Sequence, residues 1–477
     1  MKVRPYIITS ILFMGLISQS MAKYPNQSAT LIIIDPHAQE KDSMTLYIWE
    51  EFLIRQVEDF IPVRKYTEVN NSNKFQFKIT SLKEVVYFSL CKGKTDRGFP
   101  MPLLEYYIIE PGDSIVLEFG EYVPVIQKRG SITNRQVGWI VNNVTFLGRG
   151  SSKLKCKFEC NLTHKYSGSI LELQNFQLLD SVTKVRLNIV NKYRSELTET
   201  AYRLLQVDAV GRLFQSRGIE NLGNELLEPY LSLLRNIPEI LKIRSKEYFE
   251  SEFVKLKAKY PSLLPSEIYW EVKKDFTGDL RNKLLTALLL YKYSSLNNGE
   301  VLVNDALKEI NTAFLRRILF DLSEYLSEGS QAYNFSLSDP NGNLVKLSDL
   351  KGKIVVMDFW YNKCGACKDY YIYQLSKVEE KYENDPEVVF VAINIDKDRK
   401  LWIDGINDGK HTSPKVINLS TGELGPEHPV IKHYKVIGYP RPMVIDKEGK
   451  IYKANGKDLR DADKLCIIIE SAKRKSV

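Results

Sequence analysis

The pattern of apolar and polar positions divides the chain into three parts. Up to about residue 171, apolar and polar residues alternate in short runs bounded by turn residues, which predicts β-strands. From about residue 180 to 326, apolar residues recur every three or four positions, which predicts amphipathic helices. Beyond residue 330, buried apolar runs alternate with helical ones, which favours a central sheet with helices on both faces. The clearest predicted strands in the first and last parts are 31–34, 44–49, 75–79, 85–90, 106–109, 115–117, 354–357, 388–393 and 443–445.

We therefore predict a multidomain α+β protein. Its parts are an N-terminal β-sandwich-like domain (residues 23–172), a helical middle segment (173–326) and a C-terminal α/β domain (327–477). A Ser-Glu-Gly-Ser stretch at 327–330 has the composition of a linker. No fixed-period repeat is apparent, and the sequence of the helical segment indicates no function.

Residues 1–22 have the pattern of a secretory signal peptide. Two cations precede an apolar run at about 6–17, and small residues at Ser20 and Ala22 predict cleavage after Ala22. The apolar run is shorter than the ~20 residues that a membrane span needs. The expected location is periplasmic or otherwise extracytoplasmic, where cysteines meet an oxidising environment.

The composition excludes some classes of function but does not indicate one. The 477 residues include 67 Lys and Arg against 59 Asp and Glu, a net charge of +8. Without a basic stretch interleaved with aromatic residues, this charge predicts a solvated surface and no nucleic-acid partner. The candidate zinc ligands His411, His428 and His433 are scattered, so we expect no metal and no cofactor.

Cys156, Cys160 and His164 are spaced four residues apart. We place them on a strand, where such residues lie about 13 Å apart and cannot share a metal or a disulfide. Buried alternation is then the preferred interpretation of the spacing. A structural disulfide between Cys91 and either Cys156 or Cys160 is an open alternative.

A C-x-x-C motif, Cys364 to Cys367, follows a predicted buried strand and opens a predicted helix at about 369–382. Unpaired N–H groups and the dipole at a helix N-terminus favour a thiolate at the first cysteine. Lys363 and Lys368 add positive charge. The spacing places the second cysteine one turn along, where it can attack a mixed disulfide formed by the first. A structural disulfide and half of a zinc knuckle are the alternative interpretations.

Together with its surroundings, this motif resembles the thioredoxin-like domain of the TlpA/ResA type of disulfide reductase. The resemblance covers roughly the last third of the chain, from about residue 332, and implies a thioredoxin fold. The matching segments are 334–337, 347–353, 358–360, the C-x-x-C motif, 438–440 and 446–450. Residues 75–77 and 109–114 more weakly resemble N-terminal domains fused to such reductases in bacterial envelope proteins, a resemblance from which no activity follows.

The resemblance implies roles for further residues. Asp358, six residues before the first cysteine, matches the buried acid that exchanges a proton with Cys367. Pro440 matches the family's cis-proline, which exposes the backbone of Tyr439 for strand-like pairing with a substrate peptide. Trp360 matches the aromatic residue under the active-site loop, either as a substrate-binding residue or as core packing.

Departures from the family pattern concern the residues around the cysteines. Lys363 replaces the usual tryptophan, which removes an apolar docking surface and favours a more acidic partner. Tyr370 and Ile372 replace the glutamate and proline that often follow the second cysteine, so we expect a straighter helix without the usual acid. Tyr439 is also unusual before the cis-proline.

These observations predict an exported thiol-disulfide oxidoreductase that reduces or isomerises protein disulfides. Its partners would be protein or peptide disulfides and a membrane thiol donor. The alternative is an envelope binding or assembly protein in which residues 23–326 do the main work. A peroxidase is disfavoured because the Pro and Thr or Ser that surround a peroxidatic cysteine are missing before Cys364.

Overall fold

The computed structural model describes residues 27–53, 63–94, 100–129, 132–163, 176–215, 224–292, 296, 298–326, 328–434, 436, 438–454 and 456–475. The predicted leader, residues 1–22, and His164 lie outside these residues. The chain divides into two compact units, one made chiefly of residues up to Glu252 and the other chiefly of residues from Phe253 onward. Within the described ranges, every helix is too short or too polar to cross a bilayer.

The first unit contains strands that form two four-stranded sheets, in the orders β10-β7-β1-β4 and β3-β2-β5-β6, and a hairpin, β8-β9. Leu31 and Phe77 from one sheet share an apolar core with Leu46 and Phe88 from the other, because alternate residues of each strand face inward. The strands are β1 (Ala29–Ile34), β2 (Ser43–Trp49), β3 (Arg64–Val69), β4 (Lys74–Ile79), β5 (Val86–Lys94), β6 (Pro100–Ile109), β7 (Ser114–Phe119), β8 (Tyr122–Arg129), β9 (Ile132–Val141) and β10 (Val144–Arg149).

Cys156 and Cys160 lie on helix α1 (Ser151–Leu162), so the strand prediction for this segment is wrong. A four-residue spacing fits both an alternating strand and the repeat of a helix, and on the helix it puts both thiols on one buried face. Among the described residues, Cys91, Cys156 and Cys160 are free, so the proposed disulfide from Cys91 is absent. Burial raises the pKa of the Cys91 thiol to about 12, which makes it unreactive.

Helices dominate the chain between the two sheet regions. In the first unit they pack around a core that includes Val207, Phe214 and Tyr230. Further along, residues 283–290 form a Leu-rich, fully buried stretch of helix. The helices are α2 (Phe176–Lys192), α3 (Glu199–Gly211), α4 (Asn224–Arg235), α5 (Glu239–Arg244), α6 (Lys246–Lys259), α7 (Pro265–Asp275), α8 (Gly278–Lys292), α9 (Gly299–Glu309) and α10 (Ala313–Leu326).

The C-terminal domain is built on a seven-stranded sheet in the order β12-β11-β15-β14-β13-β16-β17. Strand β13 lies inside this sheet, parallel to β14 and antiparallel to β16, and all its residues are buried. Its strands are β11 (Ser336–Ser338), β12 (Leu344–Lys346), β13 (Ile354–Trp360), β14 (Val388–Asn394), β15 (Ile417–Ser420), β16 (Met443–Ile445) and β17 (Ile451–Lys453). Its helices are α11 (Gly365–Tyr370), α12 (Ser376–Tyr382), α13 (Arg399–Asn407), α14 (Pro429–His433) and α15 (Ala462–Lys475).

A π-helical turn, Tyr371–Leu375, separates α11 from α12. The absence of proline at position 372 predicted a straighter helix. A π-turn, however, adds a residue to the helical repeat, and it does so without a proline. Tyr371 and Leu375 of this turn pack into the apolar core between sheet and helices. Ile372 and Tyr373 remain exposed beside the C-x-x-C helix.

Candidate active site

The C-x-x-C motif lies where β13 ends and α11 begins. Between these elements the chain makes a tight turn, in which the backbone N–H of Cys364 donates to the carbonyl of Tyr361 at 3.2 Å. Cys364 is the N-cap residue of α11, so its side chain faces the unpaired N–H groups of the first turn. Because β13 is fixed by neighbours on both sides, this turn is held at the end of a rigid element.

Cys364 and Cys367 are joined in a disulfide, with their Cα atoms 5.2 Å apart. The backbone N–H of Cys367 donates to the Cys364 sulfur at 3.1 Å. That hydrogen bond and the helix dipole would stabilise negative charge on Cys364 once the bond is reduced. Both cysteines are buried, with exposed fractions of 3% for Cys364 and 1% for Cys367, so it is the N-cap position that favours Cys364 as the nucleophile.

Lys363, directly before the nucleophile, has a left-handed backbone conformation with φ of 68°. It occupies the position in the turn where a positive φ favours glycine, and a lysine there is strained. Its side chain is exposed, as is that of Lys368 on α11. The site therefore presents two cations to solvent, one of them at a conformational cost.

Asp358 lies in the middle of the sheet, near the end of β13, and is 5% exposed. Burial raises the pKa of its carboxyl to about 7, although the backbone amides of Arg441 and Phe359 and the charge of Arg460 act against this rise. Of its two oxygens, Oδ1 has no hydrogen-bond partner among the residues that the structure describes. A buried carboxyl that titrates near neutral pH is suited to accept and return a proton.

Glu379 is a second acidic group whose pKa is raised to about 7 by burial. The Tyr371 hydroxyl donates to Glu379 Oε2 at 3.2 Å, across the π-turn. The charge of Glu379 also contributes to the raised pKa of Asp358. Three residues after Cys367, where related reductases often have an acid, the sequence has Tyr370. Nothing in the local sequence marks Glu379 as a group that acts on Asp358.

Trp360 is fully buried beneath the active-site loop, in a cluster with Cys364, Cys367 and Trp402. A Cβ atom at Gly405 would lie 2.8 Å from the Trp360 ring, so only glycine allows helix α13 to approach this closely. Trp360 therefore supports the loop by packing, and direct contact with a substrate is not expected from this position. The ring of His411 stacks on the Trp360 ring, with centroids 5.5 Å apart.

Tyr439 and Pro440 are joined by a cis peptide bond next to this cluster. The Tyr439 ring packs edge-to-face against Tyr361, with centroids 5.4 Å apart, and both tyrosines are half-buried. The carbonyl of Pro440 accepts a hydrogen bond from Arg460 at 2.8 Å. The structure thus brings the disulfide, Trp360 and Tyr439 together, and it adds Tyr361, which the sequence did not single out.

In the described part of the chain, no three His, Cys, Asp or Glu side chains lie close enough together to hold a metal ion. The site holds two sulfurs at a helix N-terminus, and the same domain buries the carboxyls of Asp358 and Glu379. This arrangement can exchange a disulfide bond between molecules and move the accompanying proton.

Comparison with known proteins places this site in a wider group. A family model described as thioredoxin-like matches residues 352–451. The thiol-disulfide oxidoreductase ResA of Bacillus subtilis is 33% identical over 135 residues, which cover 28% of this chain and 70% of that protein. The protein of the same name from Bacillus cereus is 30% identical over 132 residues, which cover 28% of this chain and 71% of that protein. Among solved structures, the thioredoxin domain of a thiol-disulfide oxidoreductase from Bacteroides vulgatus is 24% identical, with coverage of 32% of this chain and 99% of that chain and a TM-score of 0.27.

Proposed function

The chain belongs to the thiol-disulfide oxidoreductases of the ResA type, and from this premise we propose that it is an exported enzyme that reduces or isomerises disulfides in other proteins. The observation that carries the proposal is the placement of Cys364 as the N-cap of α11, with the Cys367 amide donating to its sulfur. Export is proposed from the leader-like pattern of residues 1–22.

The proposed cycle begins with the Cys364 thiolate, which attacks one sulfur of a substrate disulfide and displaces the other as a thiolate that water protonates. Asp358 then accepts the proton of the Cys367 thiol. The resulting Cys367 thiolate attacks the Cys364 sulfur, which releases the second substrate thiolate and forms the Cys364–Cys367 disulfide. A dithiol donor, proposed to be a membrane protein, returns two electrons and two protons and regenerates the reduced enzyme.

A substrate peptide would lie beside the cis-proline. The backbone of Tyr439 would pair with it as with a neighbouring strand, which is a common way of binding extended peptides without reading their sequence. Selectivity would then come from the side chains around the disulfide, namely the Tyr361–Tyr439 pair and Lys363. Trp360 would act only from below, by holding the loop in place.

The direction of electron flow can be tested by the redox state of the protein in the cells that produce it. We expect Cys364 and Cys367 to be mostly reduced when cells are quenched in acid and free thiols are counted with a mass-tagged alkylating reagent. The reason is that a reductase attacks its substrate in the dithiol form, so this form must predominate in the cell. The control is the doubly substituted Cys364→Ser, Cys367→Ser chain, which reports the background from the other cysteines.

A predominantly oxidised pair would contradict the reductase proposal and indicate a disulfide-forming enzyme. The doubly substituted chain also tests the binding alternative. If its cells kept the full function of the protein, residues 23–326 would do the main work without the cysteines.

Lys363 gives a second test, which concerns the substrate. Lys363→Gly is expected to lower kcat/KM about two- to fivefold for a disulfide peptide with acidic flanking residues. The effect is small because the substitution removes a single solvent-exposed ion pair. We expect no change for a neutral peptide and no loss of thermal stability, because glycine relieves the strain at φ of 68°. The effect on the acidic peptide should fade in high salt.

The matched control for this test is Lys377→Gln, which removes one exposed cation from α12. It should leave both peptides unaffected. Equal losses for the acidic and the neutral peptide with Lys363→Gly would show that Lys363 shapes the loop and does not select charge.

A further inference from the structure

His411 is a buried histidine that the proposed cycle does not use. It follows helix α13 in a loop and is 6% exposed. Its ring lies nearly parallel to that of Trp360, with an angle of 18° between the planes. Trp360 in turn packs in one cluster with both active-site cysteines, so the imidazole forms the next layer of this cluster.

Packing alone does not account for a histidine at this position. Neither Nδ1 nor Nε2 has a hydrogen-bond partner among the described residues, although both atoms are buried. A phenylalanine would stack on Trp360 equally well and would avoid the cost of burying two unpaired polar atoms. A buried, unpaired nitrogen points instead to a partner that forms in another state of the site.

Charged and polar groups from three segments of the chain act on the ring. Nδ1 lies 3.8 Å from Oδ1 of Asp408, which follows α13 and whose Oδ2 lies 3.5 Å from the Lys410 ammonium. The carboxylate of Asp396, which follows β14, and the backbone carbonyl of Cys364 also favour the protonated ring. Burial is the stronger influence and lowers the pKa of His411, so the ring is neutral at pH 7 while the disulfide is intact.

We propose that His411 is a positioning residue of the redox cycle, which takes up a proton when the Cys364–Cys367 disulfide is reduced and thereby stabilises the Cys364 thiolate. This inference rests on the proposed function. A dithiol partner supplies both electrons, and the S–S bond breaks to leave Cys364 as a thiolate and Cys367 as a thiol. Of the two protons that accompany the electrons, one stays on Cys367 and the other resides on His411.

The physical reason is that the new negative charge on Cys364 favours a positive charge behind it. The imidazolium would have acceptors already in place, in the carboxylate of Asp408 and the backbone carbonyl of Cys364. Protonation of the ring would strengthen its interactions with both of these groups in the reduced enzyme. His411 acts through the charge and position of Cys364 and need not touch the substrate.

The test compares the alkylation of Cys364 by iodoacetamide across pH in the reduced wild-type chain, His411→Phe and His411→Gln. We expect the pKa of the thiolate to rise and the alkylation rate at pH 6–7 to fall about three- to tenfold in both variants. His433→Phe is the matched control, because His433 also stacks on an aromatic ring, that of Tyr333, and should leave the profile unchanged.

A second measurement does not depend on any variant that might fold poorly. The NMR titration of the His411 Cε1–H signal should give a higher pKa in the reduced than in the oxidised wild-type protein. An equal pKa in both forms, or superimposable alkylation profiles for wild type and folded His411→Gln, would overturn the proposal. Neither result depends on turnover of a protein substrate, so a failure here is distinguishable from a failure of the reductase function.

Discussion

Replacing Cys364 by serine should lower the rate of peptide-disulfide reduction by about a thousandfold or more, since a serine hydroxyl is not ionised at neutral pH and does not attack sulfur. The N-cap position of Cys364 is the reason for assigning the attack to this sulfur and not to Cys367. The measurement is a disulfide-reduction assay with a dithiol as electron source. The matched control is Cys466→Ser, which removes a half-buried free thiol from the same domain and should keep full activity.

Cys367→Ser tests the order of the two cysteines in the same assay. Turnover should stop, but the first attack should proceed, so the protein accumulates as a mixed disulfide on Cys364. Mass spectrometry of the trapped species would identify the physiological partners. A mixed disulfide that forms on Cys367 in the Cys364→Ser chain as fast as on Cys364 in the Cys367→Ser chain would refute the assignment.

The chemistry of this site could be predicted from the sequence because it depends on local features. A buried strand, a two-residue gap between cysteines and a helix start are adjacent in the chain, and their geometry follows from strand and helix periods. Asp358 lies on that same strand, and its position relative to Cys364 needed no long-range information. Its raised pKa, by contrast, depends on burial by the whole domain.

His411, Glu379 and Tyr361 could not be found in the same way. His411 stacks on Trp360, and Gly405 lets α13 approach the same ring, but neither contact can be recognised from a single residue in the sequence. The charge of Glu379 acts on Asp358 from beyond the π-turn, which no residue in 371–375 marks as exceptional. Contacts of this kind arise from tertiary packing, and an isolated sequence pattern carries little information about them.

The segment around Cys156 shows how a local pattern can also mislead. Its apolar residues at every second position fit a strand, and those at every fourth position fit a helix equally well. In helix α1, Cys156 and Cys160 are buried on one face, one turn apart, and Leu154 packs on the β-domain core. Packing against the neighbouring sheets therefore favours the helical period over the strand period, which the sequence alone does not distinguish.

Asp358 provides a prediction in which stability and activity move in opposite directions. The pKa of the Asp358 carboxyl is about 7 in the folded protein, against an ordinary value of 3.8 in the unfolded chain. The carboxyl therefore binds its proton more tightly in the folded protein. Its contribution to stability is therefore present below pH 3.8 and is lost as pH rises toward 7. Asp358→Asn removes this loss, so its free energy of unfolding should exceed that of the wild type by about 3–4 kcal/mol at pH 8 and by little at pH 4. Urea unfolding at several pH values measures the difference.

The same variant should slow the resolving step about a hundredfold at pH 7.5, since the amide cannot accept the proton of Cys367. Single-turnover release of a peptide from the Cys364 mixed disulfide should rise through pH 7 in the wild type, and this rise should be missing in Asp358→Asn. Asp369→Asn, which removes an exposed carboxyl two residues after Cys367, should match the wild type in both assays. A stabilised Asp358→Asn protein with an unchanged pH profile would show that the buried carboxyl destabilises the fold and has no role in catalysis. The proton of Cys367 would then have to leave by Glu379 or by water.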